Sequence, residues 1–310
     1  MLTENFVREM KKTIEEVRPL SLTGNVADYI PALKKSDPSM VACSIFTKDG
    51  ACHRFGDVGT TFTIQSVSKV LTLALAIEDR GKEYVFERVG MEPTGDPYYS
   101  MARLELTDQS KPLNPMINAG ALTITSMIKG NTKEEKFERI LHFIRELADD
   151  EDITYNEDVA QSEYDTTDKN RALAYYLKAN NILEGDIDEV IDIYTKQCSI
   201  EMSCCHLARI GQVLGNRGYS TLHEKELVSP RIAQLVKTFM VTCGMYNSSG
   251  QLAIEAGIPS KSGVSGAILG TLPGGIGIGI YSPALDEKGN SVVGIELLKR
   301  ISQNYDLSIF

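Results

Sequence analysis

The chain has 310 residues, 42% of them hydrophobic, which is enough for a full core in one large domain or two lobes and too many for a disordered chain. Its formal net charge of -10 argues against clustered Lys and Arg on a phosphate backbone, so no nucleic-acid partner is expected. No apolar run is long enough to span a bilayer, and the N-terminus lacks the uninterrupted apolar stretch of a signal peptide, so no membrane partner and a cytoplasmic location are expected.

Phe6, Met10, Ile14 and Val17 recur at helical spacing among charges, which predicts an amphipathic first helix. Met40 to Phe46 and Cys52 to Gly56 flank Asp49-Gly50, a strong hairpin signal, so the sheet begins early. Val67 to Arg80 is apolar on more than one face and predicts a buried helix. Thr132 to Glu135 is a capping box ahead of a helix with Phe137, Ile140, Leu141, Ile144 and Leu147 on one face. The acidic run Asp149 to Asp152 reads as a solvated turn. Ile187, Val190, Ile191, Tyr194 and Cys198 share another helical face. Ser229-Pro230 caps and starts what reads as the last helix, with Ile232, Leu235, Val236 and Phe239 inside.

At the far end, Gly275 to Ser282 and Ser291 to Leu298 read as a strand pair around Gly289-Asn290. The Gly-Ile alternation of the first has the two-residue period of a strand, and no helix start follows to seat a phosphate. It is therefore not a nucleotide loop, and its glycines are expected to allow close packing against the helical lobe.

No internal repeat is present. Strands at both chain ends with helices between them predict an α+β fold: an antiparallel sheet built from both termini, helices packed on it, and an inserted helical lobe. The expected division is one domain of two lobes, a sheet lobe over about 1–65 and 225–310 and a helical lobe over about 66–224, with an active site in the cleft between them.

Cys43, Cys52, Cys198, Cys204, Cys205 and Cys243 follow no framework spacing, so free thiols in a reducing compartment are expected. The cluster Cys198, Cys204, Cys205 and His206 lacks the paired spacing of a zinc site, and no metal is expected.

The chemistry centres on Ser66 and Lys69, three residues apart at the head of the buried helix, where positions i and i+3 share a face. A serine hydroxyl needs a base, and a lysine can act as one only when neutral. Burial among Val67, Val70 and Leu71, with the positive end of the helix dipole, would lower its pKa. The same helix start offers N–H groups to a developing oxyanion. A helix cap with an exposed lysine is the plainer reading of the bare pair. Lys261-Ser262-Gly263 stands in the order that Lys-Thr-Gly takes in serine β-lactamases and penicillin-binding proteins, where it borders the nucleophile; a glycine-rich edge strand is the plain reading. The companion Ser-Asp-Asn motif is absent, which weakens a β-lactam substrate but not a serine acyl-transfer enzyme.

Together, Ala27 to Pro31 (ADYIP), Gln65 to Lys69 (QSVSK), Asn114 to Ala121 (NPMINAGA), Ser162-Glu163 followed by Asp168 to Ala172 (DKNRA), Cys243 to Tyr246 (CGMY) and Lys261 to Gly266 (KSGVSG) resemble the glutaminase family over essentially the whole chain. Those are serine-dependent amidohydrolases that convert L-glutamine to L-glutamate and ammonia, with a fold related to serine β-lactamases. The resemblance implies Ser66 as nucleophile and Lys69 as its base, with Tyr246 as a proton shuttle to the leaving ammonia. It implies Tyr29, Asn118, Glu163, Asn170, Tyr194, Tyr246 and the Val264 backbone as substrate contacts, the N–H groups of Ser66 and Val264 as the oxyanion hole, no cofactor, and a homotetramer. Chemically, a zwitterion needs an anion for its ammonium, which Glu163 can supply, and neutral donors for its carboxylate, which Asn and Tyr can supply. Two other readings remain: another serine acyl hydrolase of this fold, and a silent amino-acid-binding protein.

Overall fold

The computed structural model describes residues 4–106 and 111–310. Five strands, β1 (Ala42–Phe46), β2 (Cys52–Gly56), β3 (Ser260–Ser262), β4 (Ala267–Leu272) and β5 (Ile276–Tyr281), form one antiparallel sheet in the order β2-β1-β5-β4-β3. The sheet thus joins both ends of the chain, as the terminal strand patterns predict.

The described residues include ten longer helices: α1 (Glu4–Val17), α2 (Ser68–Arg80), α3 (Asn118–Met127), α4 (Lys133–Ala148), α5 (Glu157–Thr166), α6 (Asp168–Ala179), α7 (Ile187–Cys198), α8 (Cys204–Gly215), α9 (Pro230–Cys243) and α10 (Val292–Tyr305). Thr132 caps α4 by accepting from the Glu135 N–H, while the Glu135 carboxylate reaches one residue further back, to the Asn131 N–H. Ser229 caps α9 by accepting from the Ile232 N–H.

One sheet face packs on α1 and α10, where Met10, Ile14, Ile278, Ile280, Leu297 and Ile301 share a core. The other face packs on α8, and here the Gly-Ile alternation of β5 is decisive. A Cβ on Gly277 would lie 1.7 Å from the Ala208 carbonyl oxygen, and one on Gly279 2.0 Å from that of Cys204. Only glycine lets α8 lie this close. α8 crosses the sheet although its sequence position falls within the segment expected to form the helical lobe.

Three expectations need correction. Residues 292–305 are a helix, α10, not a strand: Ser291 caps it through the Gly294 N–H, and its buried Val293, Leu297, Leu298 and Ile301 follow helical spacing. A short apolar run does not distinguish the two periods, and the partner of β5 is β4 instead. In consequence α9 is not the last helix, and its Ile232 and Leu235 are only partly buried. Finally, not all six cysteines are free. Cys52 on β2 and Cys205 on α8 form a disulfide, with Cα atoms 6.4 Å apart and a sequence separation of 153, because α8 docks beside the β1–β2 hairpin; Cys43, Cys198, Cys204 and Cys243 are free and buried. Spacing rules read neighbours in sequence and do not register such a tertiary approach.

Candidate active site

The chain enters the site through the short strand Phe62–Thr63, which pairs with Glu201–Met202, and turns at Gln65–Val67 into α2. Gln65 has φ +47°, a left-handed conformation that costs a non-glycine residue about 1 kcal/mol. Its side chain is tied down: Nε2 donates to Thr63 Oγ1 at 3.3 Å, and the amide also meets Glu163. This turn sets Ser66 at the head of a helix buried on nearly every side, with Lys69 in its first turn.

Lys69 is 1% exposed, and its Nζ donates to Asn118 Oδ1 at 2.7 Å and to the Met116 carbonyl at 3.3 Å. Burial lowers its pKa to about 8, partly opposed by Cys198 and Glu163. A base with some neutral population near pH 7 is the result.

Asn118 opens α3 and passes the network on: its Nδ2 donates to Asn170 Oδ1 at 2.9 Å, and Asn170 Nδ2 donates to Thr167 Oγ1 at 2.7 Å. The Tyr194 hydroxyl, from α7, reaches Asn118 Oδ1 at 3.5 Å. Glu163, on α5, is buried, and burial raises its pKa to about 8 against the pull of Lys69 and Gln65. Its Oε2 is buried without a hydrogen-bond partner among the described residues, an acceptor lacking a donor.

Tyr246 lies just beyond α9, with φ +49° and its ring 4.6 Å from that of Tyr98. Its hydroxyl is turned to Ser66 without closing a well-aligned hydrogen bond. Tyr29 is half exposed as a residue, yet its hydroxyl is desolvated and paired with Tyr98, and burial holds its pKa well above the usual range. Val264 sits in the turn after β3, and its N–H meets no backbone carbonyl among the described residues.

A cavity of about 490 Å³ is lined by Ser66, Tyr29, Asn118, Glu163, Asn170, Tyr194 and Val264, so elements from across the chain converge there. Lys69 is not among its lining residues, and Tyr246 borders an adjoining cavity of about 400 Å³ that shares Tyr29, Tyr98 and Val264. Tyr98 and Cys198 also line this space, and the sequence marks neither as a substrate-site residue: Tyr98 lies in an irregular loop, and Cys198 reads as a core residue of its helix. Cys204 and His206 lead elsewhere, to the Ala42 carbonyl and to Asp150.

The glutaminase family model matches residues 24–310. A glutaminase of Geobacillus thermodenitrificans is 54% identical over 303 residues, covering 97% of this chain and 98% of that protein. Glutaminase 1 of Halalkalibacterium halodurans is 52% identical over 307 residues, covering 99% and 97%. Among solved structures, a probable glutaminase of Bacillus subtilis complexed with 6-diazo-5-oxo-L-norleucine superposes with a TM-score of 0.92 at 40% identity, over 100% of this chain and 99% of that one. A second Bacillus subtilis glutaminase structure is a covalent complex with 5-oxo-L-norleucine formed from that diazo compound, with a TM-score of 0.91 at 40% identity over 98% and 99%.

Proposed function

We propose that this chain, which belongs to the glutaminase family and hydrolyses L-glutamine to L-glutamate and ammonia, does so through a glutamyl ester on Ser66 with Lys69 as the base. The observation that carries the mechanism is a lysine buried beside the serine turn and held by an amide oxygen rather than a carboxylate, so that it stays partly neutral.

In the first stage, Lys69 takes the Ser66 proton as the oxygen attacks the side-chain amide. The C–N bond of the tetrahedral intermediate then breaks with its electron pair on nitrogen. Tyr246 gives nitrogen a proton and recovers one from protonated Lys69. In the second stage water adds to the ester, its proton passes to the same base, and Ser66 leaves with a proton. The N–H groups of Ser66 and Val264 hold the oxyanion in both stages. The unpaired Glu163 oxygen supports a contact to the substrate ammonium, and Asn118, Asn170, Tyr194 and Tyr29 supply polar groups for the rest of the zwitterion. The covalent complex of the Bacillus subtilis relative supports a nucleophile in this fold. A serine nucleophile with a lysine base calls for no cofactor in this reading.

We also read the fold as serine β-lactamase-like and the protein as a homotetramer, which family resemblance supports, the chain as one domain of two lobes, which the order of strands and helices supports, and its location as cytoplasmic. No helix among the described residues is long and apolar enough to cross a membrane. The test is ammonia release from L-glutamine, L-asparagine and D-glutamine by the purified protein and by Ser66→Ala. Release from L-glutamine that disappears in the variant is expected; a variant that retains it would overturn the Ser66 mechanism.

A further inference from the structure

Lys261 is a second fully buried lysine, 0% exposed, and the mechanism above gives it no part. It is on β3, and its Nζ lies 4.6 Å from the centre of the Tyr246 ring while donating to the Ser262 carbonyl. It is not among the residues that line either cavity. Among the described residues, the titratable groups that act on it, besides the Tyr246 ring itself, are Lys69 from α2, Cys243 from α9 and Cys198 from α7, none of them a carboxylate; burial first, then Lys69, hold its pKa well below the lysine range. A buried amine without a counter-ion or a substrate contact is costly, so what it touches must explain it.

It touches Tyr246, which needs support. Tyr246 occupies the left-handed region, a strained conformation that persists only where the surroundings enforce it. The segments on either side of Lys261 are pinned together: the Ser262 N–H donates to the Gly244 carbonyl at 3.1 Å, two residues before Tyr246. A Cβ on Gly244 would lie 1.9 Å from the Ser260 carbonyl oxygen, so the backbones are in direct contact. The fully buried Lys261 places its amine over the face of the Tyr246 ring.

We propose that Lys261 is a positioning residue for Tyr246, holding the ring from below so that its hydroxyl meets Ser66 and the nitrogen that leaves. This rests on the reading of Tyr246 as proton donor to that nitrogen. The consequence is selective: loss of Lys261 impairs substrates whose leaving group must be protonated and spares those whose leaving group departs as an anion.

The experiment compares L-glutamine with the γ-4-nitrophenyl ester of L-glutamate, whose leaving group needs no proton, in Lys261→Met, Lys261→Gln and Tyr246→Phe. In Lys261→Met, kcat/KM for L-glutamine is expected to fall about 100-fold, with kcat carrying the loss, while the ester changes less than about threefold. Tyr246→Phe should show the same split, and adding Lys261→Met to it should cost little more. Ester turnover certifies a folded site, and Lys261→Gln supplies a second polar variant should Lys261→Met fail to fold. Equal losses on both substrates, or none on L-glutamine, would overturn the proposal. Ser66→Ala must abolish both activities; turnover surviving there would instead remove the acyl-enzyme reading.

Discussion

The Nζ of Lys69 donates to Oδ1 of Asn118 at 2.7 Å, an amide oxygen that accepts from an amine or an ammonium alike and carries no net charge. A carboxylate in its place would favour the charged lysine. Asn118→Asp should therefore raise the Lys69 pKa above about 8. Because the base must be neutral, the acid limb of kcat/KM should move up by about 1 to 3 pH units, with a loss of about tenfold or more at pH 7. A pH–rate profile of the variant checks this; an unmoved limb would contradict it.

The same burial has a cost in stability. The folded pKa of Lys69 lies below the unfolded one, so the folded state binds fewer protons between about pH 8 and 10.5, stability rises with pH across that window, and the penalty is full below pH 8. Lys69→Met should be inactive yet more stable at pH 7 by about 3 kcal/mol, the gain shrinking by pH 10.5. Urea unfolding at the two pH values measures it.

Glu163 is held protonated up to about pH 8 by burial, with one oxygen unpaired. A substrate ammonium beside it would favour the carboxylate, so binding should expel a proton. In Ser66→Ala, L-glutamine binding at pH 7 should release up to about one proton, and none well above pH 9. Calorimetry in buffers of different ionisation enthalpy detects it, and Glu163→Gln should abolish the release while raising KM.

The contact between β5 and α8 can be tested apart from catalysis. Gly277→Ala would force a methyl to 1.7 Å from the Ala208 oxygen, so α8 must shift. A destabilisation of about 2 kcal/mol or more is expected from thermal or urea unfolding. Unchanged stability would show that α8 does not rest on that strand as described.

Much of this arrangement was legible in the residues, for identifiable reasons. The hairpin at Asp49-Gly50, the amphipathic first helix and the caps at Thr132 and Ser229 are local features, and local physics writes them into adjacent residues. Ser66 and Lys69 stand out by their spacing at a buried helix head, whereas their proposed companions come from family resemblance, and periodicity alone would leave Tyr194 a core tyrosine and Glu163 a solvated residue. What stayed hidden was long-range. Ser291 to Leu298 reads as a strand but lies in the helix Val292–Tyr305 and its cap, because a short apolar run fits either period until its cap and its packing against α1 decide. The Cys52–Cys205 bond, the Tyr98 wall and the placement of Lys261 under Tyr246 arise only from tertiary approach.

The most direct test of the central claim is the mass of the intact protein after acid quenching during L-glutamine turnover. A gain of one glutamyl group, mapped to the peptide bearing Ser66 and absent from Ser66→Ala, is the predicted result. Steady ammonia release by Ser66→Ala at the wild-type rate, with any adduct on another residue or none at all, would contradict it.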